Sequence, residues 1–61
     1  MLEKDIIQAA YETELMRMFN IFVDNLVVMG TDSACQTFSA GIEKIKQARD
    51  LALKLVEGIP V

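Results

Sequence analysis

The chain has no histidine and no tryptophan, and only one cysteine and one proline among its 61 residues. Without histidine it lacks the side chain that ordinarily changes charge between about pH 5 and 8. It also lacks the imidazole that most often serves as general base or zinc ligand. The lone Cys35 excludes an intrachain disulfide and any cysteine pair with metal spacing. Basic residues are few, six against nine acidic ones, for a formal net charge of -3. A nucleic-acid binder usually presents a basic face, because phosphate contacts supply most of its affinity. No Gly-rich phosphate loop, nucleophile–base pair or Glu-x-x-His motif occurs, so no catalytic residue, metal or cofactor is expected.

Long uninterrupted apolar runs are also missing. A transmembrane helix needs about 20 mostly apolar residues. The oiliest segment, Glu14 to Gly30, is broken by Arg17, Asn20, Asp24 and Asn25. The N-terminal segment carries acidic residues and no small-residue cleavage site after an apolar run, so it does not read as a signal peptide. Interfacial membrane helices favour Lys and Arg on their polar face, and Arg17 beside Asp24 is a poor match. The expectation is a cytoplasmic chain without membrane association.

What the sequence does have is apolar residues, 52% of the total, arranged with helical period. Tyr11, Leu15, Met18, Phe22, Leu26 and Met29 recur at spacings of three and four. After Gly30, the positions Ala34, Phe38, Gly41, Ile45, Ala48, Ala52 and Leu55 continue as a heptad seam. Gly30 suits a position just past a helix end. Thr31, Asp32 and Ser33 can each cap the following helix; Ser33 with Gln36 matches a capping box, and Thr31 is the competing start. At the far end Gly58 stops the second helix, Ile59 can fold back on Leu55 or Val56, and Pro60 prevents continuation. The predicted fold is all-α, a single domain over 1–61: an antiparallel helical hairpin with helices near 3–29 and 33–57.

Matching large residues to small ones suggests a register. Phe22 would meet Gly41, Met18 would meet Ile45, Leu15 would meet Ala48, and Tyr11 would meet Ala52, with Met29 beside Ala34 and Asn25 beside Phe38. Arg49 would then stand at the level of Glu14, its stem covering the core edge and its head paired with that carboxylate or with an acid of another chain.

One hairpin cannot cover the first helix. At about 100° per residue, a second apolar stripe of Met16, Phe19, Val23 and Leu26, extended by Val27, runs beside the packing stripe. Only Thr13, Arg17, Asn20 and Asp24 form a polar strip. The second helix instead shows a solvated, mostly charged outer row of Gln36, Ala40, Glu43, Gln47, Asp50, Lys54 and Glu57. Two hairpins meeting through the second stripe would give a homodimeric four-helix bundle. A tetramer remains open because Ile21 and Val28 lie on the opposite flank, and another protein is a rival cover.

The expected function is therefore that of a small, non-catalytic protein-interaction or regulatory module acting as a homodimer. The alternative is a nucleic-acid-binding bundle, in which two-fold symmetry gathers Lys44, Lys46, Arg49 and Lys54. Those residues spread around most of the helix with acids between them. Cys35 reads as a small buried apolar residue near the end of the bundle, with an intermolecular disulfide as the other reading. Asn25 reads equally as a register-fixing polar residue and as a partner of the turn backbone or of water.

Overall fold

A computed structural model describes residues 2–58 as two long helices joined by a tight turn. Helix α1 spans Glu3–Val28 and α2 spans Thr31–Val56. The two pack side by side as a hairpin. Glu3 and Asp5 occupy the first turn of α1, where carboxylates favour the partial positive charge of the helix N-terminus. The carbonyl of Leu2 accepts hydrogen bonds from the amides of Asp5 (3.0 Å) and Ile6 (3.3 Å), which closes that turn. At its other end the amide of Met29 donates to the carbonyl of Asn25 at 2.9 Å. The expected fold-back of Ile59 and stop at Pro60 lie outside the described residues.

The turn is shorter than the sequence suggested. Only Met29 and Gly30 separate the helices, and α2 begins at Thr31. Gly30 holds φ 84 and ψ 169, an extended conformation with positive φ that glycine alone tolerates well. It reverses the chain directly into α2, whose first intrahelical bond runs from the Ala34 amide to the Gly30 carbonyl at 3.0 Å. Ser33 therefore lies inside the first turn, and no side chain caps α2. The capping box of Ser33 and Gln36 is not formed; the earlier start at Thr31 prevails.

That shift changes the register. Moving the midpoint of the hairpin toward the N-terminus slides every cross-pair by about one helical turn. Phe22 stacks on Phe38, ring centroids 4.6 Å apart, rather than lying over Gly41. Gly41 instead faces Met18: a Cβ built at Gly41 would collide with the Met18 Cε methyl, with the sulfur 3.8 Å away. The large-against-small principle holds, but with methionine as the large partner. Because the colliding atom is the tip of a flexible side chain beside an open groove, Gly41→Ala should let Met18 swing aside. With a helix-propensity gain of about 1 kcal/mol, this variant is expected to melt slightly higher than the parent. Gly41→Leu forces the helices apart and is expected to cost about 1–3 kcal/mol by the same thermal measurement.

The hairpin is a slab rather than a ball. Its principal extents are 42 × 24 × 8 Å and its radius of gyration is 14.1 Å, against about 10.5 Å for a globular domain of this length. Ala34 is the only buried hydrophobic residue among those described. The half-buried seam runs through Ile7, Tyr11, Leu15, Met18 and Phe22 of α1 and Phe38, Gly41, Ile45 and Ala52 of α2. The apolar residues of α1 lie on more than one side, so they nearly cancel as an amphipathic moment, whereas α2 has a clear apolar and a clear polar side.

Candidate interaction surface

The seam divides the slab into two broad faces. One face is outlined by two shallow grooves. The first, about 290 Å³, is lined by residues including Ile7, Ala10, Tyr11, Glu14, Ala48 and Arg49. The second, nearer the turn, is lined by Met18, Ile21, Phe22, Asn25, Thr37, Phe38 and Gly41. Between them on the same flank of α1 lies an ion pair, with Arg17 Nε donating to the Glu14 carboxylate at 3.1 and 3.2 Å. This contact holds the Glu14 carboxyl below its ordinary pKa. The grooved face is thus divided in the middle by charge.

The opposite face carries the second stripe. Met16, Phe19, Val23 and Leu26 are all exposed, Phe19 by 54%. The Phe19 ring sits 6.5 Å from that of Phe22, so the stripe continues outward from the core stack without a polar break. Val27 is more exposed still, at 88%, because the helical period places it on the side of α1 directed away from α2. Toward the open end of the hairpin this face turns polar, with Asp5, Gln8 and Glu12; Gln8 donates to the Glu12 carboxylate at 3.1 Å. The uncovered apolar surface is therefore a patch near the turn, not a full-length seam.

Arg49 stands where the sequence placed it, at the core edge with its side chain 27% exposed, but with different company. The expected pair with Glu14 is not formed. The one-turn shift carries Arg49 to the level of Tyr11, and its guanidinium lies over that ring, 4.5 Å from the centroid. Its charge is met by the neighbouring Asp50 at 3.1 Å. Glu14 lines the same groove as Arg49 and is taken by Arg17, three residues along its own helix. Sequence reasoning missed the Tyr11 contact, which a cation beside an aromatic one register step away could have signalled. Arg49→Leu keeps the apolar stem contact and removes a half-exposed pair, so its thermal stability should stay within about 1 kcal/mol of the parent. Loss of self-association in that variant, read by sedimentation, would instead give Arg49 an organising role.

Asn25 lines the second groove, half-buried, and makes no side-chain hydrogen bond to another described residue. Its backbone carbonyl, rather than its amide, serves the turn. Cys35 is exposed in the first part of α2, not buried at the bundle end. Lys4 and Glu57 close the open end of the hairpin at 2.8 Å, and that hydrogen bond raises the Lys4 pKa. Three of the six basic side chains, Lys4, Arg17 and Arg49, are each held by an acid. Among the described residues no group of three His, Cys, Asp or Glu side chains could hold a metal ion. No described helix is long and apolar enough to cross a membrane. Comparison with protein-family models, with curated proteins and with solved structures returns no match.

Proposed function

We propose that the chain is a small non-catalytic interaction module whose working form is a homodimer, two hairpins joined through Met16, Phe19, Val23 and Leu26, flanked by Val27, as a four-helix bundle. The observation that carries this reading is surface area. The hairpin exposes 4631 Å², whereas a folded monomer of 6.8 kDa is expected to expose roughly 4,000 Å². The excess, roughly 600–700 Å², approaches the ~800 Å² that each partner contributes to a standard protein interface. A chain with one buried hydrophobic residue among those described gains its missing core by association, as small scaffolds without disulfides or metals commonly do.

The biochemical role then belongs to surfaces left outside the dimer, in binding or regulating another protein. Sedimentation equilibrium over a wide concentration range, with helicity followed by circular dichroism, tests the reading. A dimer that loses helix as it dissociates is the expected result. A fully helical monomer at micromolar concentration would overturn it.

A further inference from the structure

We infer that the two hairpins stack with α1 antiparallel to α1 of the second copy, about a two-fold axis perpendicular to the helices at the level of Ile21, so that their turns point to opposite ends. This inference rests on the self-association proposed above and adds its geometry. The exposed stripe has its centre between Phe19 and Val23, in the turn-proximal half of α1. A two-fold axis through that centre sets Phe19 against the partner copy's Val23, and Met16 against the partner copy's Leu26. Large apolar side chains then meet large apolar side chains on both sides of the axis.

The competing arrangement has the axis parallel to the helices and both turns at one end. It would lay the stripe across α2 of the second copy. At that level α2 presents Cys35 and Ser39 on the same face, with Ile42 as the only large apolar residue. Phe19 and Leu26 would gain little apolar contact there. Stacking through the grooved face fares no better, because it would cover the Arg17–Glu14 pair, whose desolvation offsets much of any apolar gain.

The dimensions agree with a partial overlap. An axis at Ile21 superposes about 15 residues of each α1, or about 22 Å of helix. Across the 24 Å width of the slab, that footprint is about 530 Å², somewhat below the area the monomer exposes in excess. The polar half with Asp5, Gln8 and Glu12 is left beyond the overlap, in water. Each end of the assembly would therefore be a two-helix overhang.

Spin labels test the geometry. Thr13→Cys and Asn20→Cys, each made with Cys35→Ser, put a label on the polar strip of α1, outside the stacked face. About the proposed axis the two labels at Asn20 differ in axial level by about 3 Å, and those at Thr13 by about 24 Å. The interprotomer distance should therefore be longer at Thr13 by about 15 Å, allowing for helices stacked about 10 Å apart. Equal distances at both positions would overturn this geometry and leave self-association standing. A monomeric mass for the Cys35→Ser parent, with no dipolar coupling at either position, would remove self-association and the geometry with it. A dimeric parent whose labelled forms are monomeric would show that the polar strip is covered, which overturns the choice of face.

Discussion

Phe19→Lys is expected to abolish self-association at micromolar concentration and to take most of the helical signal with it. Phe19 lies at the middle of the exposed stripe and is 54% exposed in the isolated hairpin. Burying the exposed half of such a ring on association contributes about 1–1.5 kcal/mol. In a two-fold dimer the substitution enters twice. A lysine in the same place loses that contribution and also confronts an apolar surface with a charge that has no partner there. A weakening of about 3 kcal/mol or more corresponds to at least about a hundredfold in dissociation constant. Sedimentation reads the loss directly, and circular dichroism at the same concentrations reads whether the hairpin survives alone. Gln47→Lys, on the solvated outer row of α2, makes the same change in charge and is expected to leave both readings unchanged. If Phe19→Lys also behaves as the parent does, the stripe is not where the chain associates.

The same pair of variants bears on nucleic-acid binding. Three basic side chains are already engaged by acids, and the chain is acidic as a whole. Any binding carried by Lys44, Lys46 and Lys54 would have to weaken steeply with salt. It should strengthen with Gln47→Lys, which adds a cation to the helix that holds them. Binding that ignores salt and that substitution would not be phosphate recognition.

Much of the fold was legible because the period of three and four persists over two long segments with a single glycine between them. The exposed stripe was legible for the same reason: Met16, Phe19, Val23 and Leu26 occupy a side of α1 that one neighbouring helix cannot reach. The turn was less legible. Thr31, Asp32 and Ser33 can all cap a helix, and composition does not say that Gly30 alone will reverse the chain. Because the length of a turn sets the register of everything beyond it, this local ambiguity propagated. It exchanged Gly41 for Phe38 opposite Phe22 and replaced the Glu14 partner of Arg49 with Tyr11. The appeal of setting the largest ring over the smallest residue also misled, since a flexible methionine fills the space over Gly41 as well. The core-edge position of Arg49 depends on its own helix alone. Its partner depends on two helices and a turn.

The observed register makes a second strong prediction. Phe22→Ala removes one ring of the aromatic stack that joins the helices across the seam. Truncation of a core phenylalanine costs about 3–5 kcal/mol. Both rings are only half-buried in the hairpin, which puts the expected cost nearer 2–3 kcal/mol. Against a stability of about 0.05–0.15 kcal/mol per residue, that is a large part of what a chain this short can hold. At about 4–8 °C per kcal/mol for a domain of this size, the melting temperature should fall by about 10–20 °C. The double variant with Phe38→Ala tells the registers apart. Stacked rings at 4.6 Å should couple by about 0.5–1.5 kcal/mol, so the double variant should lose less than the two single losses added together. With Phe22 over Gly41 the two rings would be separate partners and their losses would add. Additive losses would therefore restore the longer turn and, with it, the level of Glu14 opposite Arg49.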